Sequence, residues 1–257
     1  MSAERIQIRL LERREWRKGL VSLRFEKPRD FTFKPGQFVR LGITTADGQY
    51  SARAYSMVSL PEDNFLEFFI VEVQGGTVSP LLVSLEAGSS VWLEPDLFGS
   101  MLPERLPAGE SLWCLSSGAG LAPFLSILRE ESTWLKWRKT VLVHSVRCSE
   151  DLAYTQLIEK IRTDSSLAGA NERELIYIPI VTREATQFLS QRIPKLIVGG
   201  ELEDAAALKL DPQNARVLLC GNPDMVKETR AILKDKGFKA PRRTEPGSLL
   251  AENLWND

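Results

Sequence analysis

Cysteine and histidine, the residues that build disulfides and many metal centres, are scarce in this sequence of 257 residues. The three cysteines, Cys114, Cys148 and Cys220, are far apart and show no C-x-x-C spacing, and His144 is the single histidine. Disulfide frameworks, zinc sites and cysteine-held iron–sulfur clusters need several such residues at short, regular spacings. We therefore expect reduced thiols, no bound metal and no protein-held iron–sulfur cluster.

An excess of charge of either sign and a long hydrophobic run are also missing. Lys and Arg total 33 against 34 for Asp and Glu, so no global field marks the protein as a binder of nucleic acid. No run approaches the ~18 apolar residues that span a bilayer, and the charged start "MSAERIQIRLLERREW" is unlike a signal peptide. The sequence predicts a cytoplasmic globular protein with neither nucleic acid nor membrane as partner.

Short strands separated by turn residues characterise the first hundred residues. Six segments show partial apolar alternation: "IQIRLLERREW", "LVSLRFEKP", "QFVRLGITT", "ARAYSMVSL", "FLEFFIVEV" and "SSVWLEPD". Such a series favours an antiparallel β-barrel or sandwich. One short helix interrupts it in "TVSPLLVSLEAG", with Ser79 predicted as N-cap, Pro80 at the first helical position and Gly88 just past the end.

The pattern changes after "MLPERLPAG" to continuous apolar runs that alternate with helical segments. The runs are "SLWCLSS", "TVLVHSV", "ELIYIPIV" and "ARVLLC". Strands buried on both faces and alternating with helices predict an α/β doubly wound parallel sheet. The last helix is predicted to start at the cap Asn222 and to stop at Gly237. We divide the chain into a barrel domain, 1–103, and an α/β domain, 104–257.

A short glycine loop follows the first strand of the predicted parallel sheet. The stretch "LSSGAGLAPF" contains Gly118 and Gly120 between an apolar run and a helix. Free amide groups at a helix start attract anions, and glycines let a pyrophosphate approach the backbone. The alternative is a tight turn that only packs helix on strand.

Two features of the first half add to this hypothesis. In "RAYSMV", Arg53 offers a fork suited to phosphate oxygens, Tyr55 a flat ring and Ser56 a hydroxyl. Strand alternation puts Arg53, Tyr55 and Met57 on one face and Ser56 on the other, which also suits an ordinary exposed barrel strand. The stretch "GGTVSP" offers a second helix start for phosphate. Two anion sites in two domains indicate two nucleotides.

Residues near the ends of the later strands suggest where a second nucleotide binds. Cys220 ends a parallel strand, where open α/β sheets bind ligands, although a small apolar residue is the simpler interpretation. Arg147 and Arg183 follow strand ends, and Arg192 lies in "SQRIP". Arginine at this edge accommodates the 2′-phosphate that distinguishes NADP from NAD, but surface arginines are common. We interpret His144 as a structural residue.

Taken in order, these segments resemble the ferredoxin–NADP reductase family of flavoproteins, bacterial type. The motifs that carry the resemblance span residues 53–255: "RAYSMV", "GTVSPLL", "SSGAGLAPFLSILRE", "VLVHSVRCSEDLAY", "VTRE", "QRIP", "LLCGNPDMV" and "GSLLAENLW". The resemblance implies an N-terminal antiparallel barrel that binds FAD and a C-terminal α/β domain that binds NADP(H).

The resemblance also implies roles for individual residues. Arg53 contacts the FAD pyrophosphate, Tyr55 stacks on the isoalloxazine ring and Ser56 faces its N5 region. Three residues are expected near the point of hydride transfer and form the predicted catalytic set: Ser56, Cys220 and Glu252. Arg147, Arg183 and Arg192 match positions that hold the 2′-phosphate. The other implied cofactor-binding residues are Ala54, Ile70, Val71, Glu72, Gly76, Thr77, Val78, Ser79, Gly118, Ala119, Gly120, Gly221, Asn222, Asp224, Leu254 and Trp255.

The implied activity is hydride transfer between NADPH and FAD, followed by single-electron transfer to ferredoxin or flavodoxin, in a monomer. An NAD(P)H-dependent reductase that serves an oxygenase or reduces free flavin is the alternative, and a nucleotide sensor without turnover is a third possibility. The tail departs from the family pattern, because Leu254 stands where many relatives carry a stacking aromatic residue. Basic residues near the N-terminus, Arg13, Arg14 and Arg17, would suit an acidic ferredoxin.

Overall fold

An antiparallel six-stranded barrel forms the first half of the computed structural model, which describes residues 4–45, 47–164, 173–242 and 245–253. Its strands are β1 (Ile6–Arg17), β2 (Leu20–Glu26), β3 (Phe38–Thr44), β4 (Tyr50–Ser56), β5 (Phe65–Val71) and β6 (Ser90–Phe98). They lie in the order β4-β3-β6-β1-β2-β5. An isolated bridge between Met57 and Phe68 joins the two outer strands, so the sheet closes on itself. All six predicted strands are confirmed.

The short helix of this half, α1 (Ser79–Val83), differs from its prediction at both ends. The Ser79 hydroxyl does not cap the helix but accepts a 2.9 Å hydrogen bond from the amide of Val73, in the preceding turn. Gly88 lies five residues beyond the last helical residue. The helix ends early because the following chain returns to the barrel, where the Gly88 amide donates to the carbonyl of Leu10.

A parallel five-stranded sheet forms the second half. Its strands are β7 (Ser111–Ser117), β8 (Lys139–Val146), β9 (Glu174–Val181), β10 (Ala215–Cys220) and β11 (Leu249–Glu252), in the order β11-β10-β7-β8-β9. The four predicted strands are confirmed. The fifth, β11, has only four residues and follows a segment with two prolines, so its sequence carries little strand signal. A 3-10 turn, Pro103–Arg105, joins the two halves.

Helices cover both faces of the parallel sheet, as the doubly wound prediction requires. The helices α2 (Ala122–Ile127), α3 (Glu131–Lys136) and α4 (Thr155–Thr163) pack on one face. The other face carries α5 (Ile193–Gly199), α6 (Glu201–Ala206) and α7 (Pro223–Asp235). The predicted cap of α7 is confirmed, because the Asn222 side chain accepts from the amides of Asp224 and Met225. No helix in the described ranges is long and apolar enough to cross a bilayer.

The two halves share one hydrophobic core. Leu20, Val58 and Phe69 of the barrel half belong to the same buried cluster as Phe124 and Leu125 of α2. Hydrogen bonds reinforce this contact: the Ser126 hydroxyl donates to the carbonyl of Ser59 at 2.8 Å, and Arg129 donates to that of Val58 at 2.7 Å. The relative position of barrel and sheet is therefore fixed by packing, and so is the cleft between them.

Candidate active site between the two sheets

The strand order places a crevice at the carboxyl end of the parallel sheet. From β7 the chain proceeds outward through β8 to β9, and it then returns to form β10 on the other side of β7. Open α/β sheets bind ligands where the strand order reverses in this way. The glycine loop follows β7 and Cys220 ends β10, so both lie at this point. The Ser117 hydroxyl accepts from the Asn222 amide at 2.9 Å and ties the two strand ends together.

The two glycines of the loop are needed for different reasons. Gly118 has a φ of +53° with open space around it, so its requirement is conformational. Gly120 lies so close to the next strand that a Cβ there would stand 2.4 Å from the carbonyl oxygen of Cys220. The close approach of the backbone at Gly120 is what lets the loop and the end of β10 form one continuous wall.

The facing wall comes from the barrel strand β4. Arg53, Ala54, Tyr55 and Ser56 all line the cleft, although alternation predicted Ser56 on the opposite face. The prediction for Met57 was wrong: this side chain is buried in the barrel core. The reason is that β4 ends at Ser56, after which the chain turns to form the Met57–Phe68 bridge.

Two polar side chains of this wall, Ser56 and Tyr55, are in a state that suits ligand binding. The Ser56 hydroxyl is buried and has no hydrogen-bond partner among the described residues. Burial raises the pKa of the Tyr55 phenol, with the nearby Arg53 charge opposing it, so the ring stays neutral. A buried hydroxyl without a partner costs free energy, which a bound polar group would recover.

The cleft contains about 1010 Å³ of empty space, part of it open to solvent. The segment before α1 forms its far end through Gly75, Gly76 and Thr77, together with Ser79, the first residue of the helix. The remaining lining residues are Phe69, Val71, Val73, Ala119, Gly120, Ala122, Cys220 and Gly221. Eight of the eleven predicted residues of the first half therefore meet four predicted residues of the second half, Ala119, Gly120, Cys220 and Gly221, in one cavity, whereas Gly118 does not line it.

Three predicted residues of the first half lie elsewhere. The side chains of Ile70 and Val78 are buried in the barrel core, so only their backbone groups are available to a ligand. Glu72 is exposed, and its amide donates to the carbonyl of Gly19. Alternation explains this placement, because neighbouring residues of a strand point to opposite faces and Val71 takes the cleft side.

Cys220 and Glu252 end neighbouring strands but differ in setting. Cys220 is 1% exposed, and burial together with the Glu252 charge raises the pKa of its thiol, which stays protonated. The Glu252 carboxylate accepts hydrogen bonds from the amides of Ser100 and Met101, where β6 leads out of the barrel. It thereby joins the last strand of the α/β half to the barrel half.

The three predicted arginines are exposed at the same edge of the sheet. The Arg183 amide donates to the carbonyl of Arg147 at 2.9 Å, so these two residues are adjacent. Leu189 pairs with the end of β9 and brings the chain back towards Arg192, just before α5. Within the described part of the chain no carboxylate forms an ion pair with any of the three. Asn222 and Asp224, at the start of α7, are also exposed.

Several other sequence expectations can be compared with the structure. His144 is fully buried in the sheet and is not among the residues that line the cleft. The basic N-terminal segment is largely neutralised, because Arg13 pairs with Glu15 and Arg17 with Asp151. No group of metal-ligating side chains occurs in the described ranges. Leu254 and Trp255 lie outside the described residues.

The sequence reasoning missed four lining residues. Gly75 belongs to "GGTVSP", whose paired glycines were a signal of the turn. Phe69, Val73 and Ala122 carry no such signal, because each lies in an apolar stretch that looks like core. Only the way the two halves meet turns these apolar side chains towards the cleft.

Comparison with known proteins first defines the class. Residues 7–96 match the oxidoreductase FAD-binding domain family, and residues 114–231 match the oxidoreductase NAD-binding domain family. Proteins that carry both domains are two-domain flavoprotein reductases, and this chain carries both. Each matched region contributes one wall of the cleft.

Full-length relatives define the family more closely. The chain is 35% identical to the ferredoxin–NADP reductase of Pseudomonas aeruginosa, over 96% of each chain. It is also 35% identical to the flavodoxin/ferredoxin–NADP reductase of Escherichia coli, over 93% of this chain and 94% of that one. A crystal structure of a ferredoxin NADP+ reductase from Neisseria gonorrhoeae, with bound FAD and NADP, superposes with a TM-score of 0.89 at 32% identity, covering 98% of this chain and all of that one. The chain belongs to the ferredoxin–NADP reductase family.

Proposed function

We propose that the protein transfers hydride between NADPH and bound FAD and exchanges single electrons with ferredoxin or flavodoxin. The observation that carries the proposal is that one cleft joins the β4 wall of the barrel to the reversal point of the parallel sheet. A flavin held on the barrel side and a nicotinamide nucleotide held at the sheet edge would meet there. The names of the relatives support the choice of carrier.

The barrel side of the cleft fits FAD. Arg53 supplies a planar cation for the pyrophosphate, and Tyr55 supplies a neutral aromatic face for the ring. The Ser56 hydroxyl, buried without a partner, is placed to bond a polar ring atom. Thr77 and the backbone before α1 close the far end. FAD, when bound, accepts a hydride and releases its electrons one at a time, which nicotinamide cannot do.

The α/β side fits NADP(H). The glycine loop exposes backbone amides at a helix start for the pyrophosphate. Arg147, Arg183 and Arg192 present guanidinium groups that have no carboxylate partner among the described residues, and these would bind the 2′-phosphate. An NADH-specific site would instead place an acidic residue on the ribose, so the arginine set favours NADPH.

We assign the groups at the meeting point as follows. Ser56 would donate a hydrogen bond to the flavin ring, and the protonated Cys220 thiol would lie on the nicotinamide side of the cleft. The Glu252 carboxylate, fixed by the Ser100 and Met101 amides, completes the polar surroundings. We also propose the domain division 1–103 and 104–257, a cytoplasmic location and a monomeric state.

An anaerobic titration of the purified protein tests this proposal. We expect a yellow protein whose flavin absorbance is bleached rapidly by NADPH and slowly by NADH, because only NADPH carries the 2′-phosphate. Replacing Arg183 and Arg192 together should raise the KM for NADPH and leave that for NADH nearly unchanged. Equal bleaching by both nucleotides would favour a reductase serving an oxygenase or free flavin. A colourless protein that binds no FAD would contradict the proposal and favour a nucleotide sensor.

A further inference from the structure

Tyr154 has a backbone conformation that its residue type does not favour. It lies directly before α4 with φ 61° and ψ 16°, in the left-handed region. This region is unfavourable for an L-residue with a Cβ, and glycine or asparagine normally takes it. The side chain is 5% exposed and points into the barrel half rather than into its own domain. The strain therefore accompanies an interdomain contact.

The Tyr154 hydroxyl completes a buried chain of hydrogen bonds with barrel residues. It donates to the Glu67 carboxylate at 2.8 Å and lies 2.5 Å from the Ser22 hydroxyl. Because the tyrosine has only one proton to give, Ser22 must be the donor to Tyr154. Ser22 in turn accepts from the Trp16 indole at 2.6 Å. The second oxygen of Glu67 accepts from Arg24 at 2.8 Å. Every member of the chain thus has its partner.

The aromatic contacts of Tyr154 reach the cleft itself. Its ring meets Phe69 edge-on, with centroids 5.1 Å apart and planes at 88°, and Phe69 lines the cleft. Its other neighbour is Trp16, at 4.7 Å. Three residues before Tyr154, Asp151 forms a 2.5 Å ion pair with Arg17 of β1. Because this segment continues directly from Arg147, it links one of the proposed NADPH arginines to the barrel.

We propose that Tyr154 is a positioning residue that holds the NADPH-binding edge in register with the flavin-binding wall. The inference rests on the proposed function. Tyr154 reaches no reacting atom; it acts by fixing the α/β half against Ser22, Glu67 and Phe69. The distance between hydride donor and acceptor depends on that register, and a misplacement of about 1 Å can slow a reaction by two orders of magnitude.

The test replaces the hydroxyl alone in the full-length, FAD-loaded protein. In Tyr154→Phe we expect the bleaching rate at saturating NADPH to fall about tenfold, with the half-saturating NADPH concentration within about twofold of wild type. Hydrogen exchange, measured without NADPH, should quicken at the interface amides of Ser100 and Met101, which donate to Glu252 of the α/β half. This readout is independent of activity. Tyr177→Phe is the matched control, because that hydroxyl is buried in the α/β half without a partner in the described ranges.

The outcomes separate the two proposals. Loss of rate in Tyr154→Phe but not in Tyr177→Phe, with faster interface exchange, supports the positioning role. Wild-type rate or wild-type exchange in Tyr154→Phe overturns it, and so does an equal loss in both variants. If Tyr154→Phe fails to fold, Ser22→Ala removes the donor from the barrel side. That variant must then show the slower bleaching, the nearly unchanged half-saturating NADPH concentration and the faster interface exchange. If wild-type protein is not bleached by NADPH, the proposed function fails instead.

Discussion

The two walls of the cleft are built in opposite ways. The barrel wall presents side chains, with the guanidinium of Arg53, the phenol of Tyr55 and the hydroxyl of Ser56 all on the strand β4. The sheet wall presents glycines and small side chains, because Gly120 lets the loop touch the end of β10 and its neighbours in the wall are Ala119, Ala122, Cys220 and Gly221. The barrel wall would bind its ligand through polar side chains, and the sheet wall would bind its ligand because it lacks bulky side chains that would keep the ligand from the backbone. Substitutions on the two walls should therefore fail in different ways.

The largest effect is expected where the sheet wall has no room. In Gly120→Ala the new methyl group would stand 2.4 Å from the Cys220 carbonyl oxygen and 2.7 Å from the Gly221 Cα. Both neighbours are backbone, so relief requires moving β10 or the loop, at a cost of about 3 kcal/mol. Urea unfolding should show this loss of stability, together with weaker NADPH binding.

Gly118→Asn is the matched control for this substitution. Apart from its two chain neighbours, no described residue has a heavy atom within 4 Å of a Cβ at Gly118, and asparagine tolerates a positive φ, so the loss should stay below about 1 kcal/mol. If the two variants are equally stable, the close approach at Gly120 does not constrain the wall.

Acid should weaken the folded protein through a group of the α/β half. His144, the single histidine of the sequence, is fully buried in the parallel sheet, and burial lowers its pKa from 6.5 to about 4. Between these two pKa values the His144 imidazole is protonated in the unfolded chain but neutral in the folded chain. The free energy of unfolding therefore falls as the pH drops from about 6.5 towards about 4. This group alone should remove about 2 kcal/mol of unfolding free energy between pH 7.5 and 5.

Urea titrations at several pH values measure this dependence. His144→Gln removes the titrating group, so the part of the slope between pH 6.5 and 4 that this group contributes should disappear, whatever the variant's stability at pH 7.5. An unchanged slope in His144→Gln would show that other groups cause the loss in acid.

On the barrel wall the expected effect is on FAD affinity rather than stability. Arg53→Lys keeps the charge but loses the planar fork that matches phosphate oxygens, so FAD should bind about tenfold more weakly. Fluorescence of released FAD measures the dissociation constant. Arg9→Gln is the control, because Arg9 is an exposed arginine of the barrel strand β1 that pairs with Glu26 and does not line the cleft. Equal FAD affinity in both variants would show that Arg53 does not bind the FAD pyrophosphate.

The sequence predicted those parts of the fold that depend on local pattern. Ten of the strands and the Asn222 cap follow from periodicity and capping residues, which act within a few positions. The strand β11 could not be predicted, because its four residues are held by pairing with β10 and not by their own preference. The same limit applies to the site. The roles of Phe69 and Tyr154 depend on residues roughly 85 to 130 positions away in the sequence. No local sequence pattern could therefore predict these roles.

The smallest effect is expected for the thiol that forms part of the sheet wall. Cys114 and Cys220 are buried, and burial raises the pKa of both thiols, whereas Cys148 is half-buried. Since the thiolate is the reactive form, iodoacetamide on the native protein should modify Cys148 alone. Peptide mass analysis would show this, with FAD content unchanged. Rapid labelling of Cys220 would mean that the loop around Gly120 opens, so that the sheet wall, unlike the barrel wall, is not preformed.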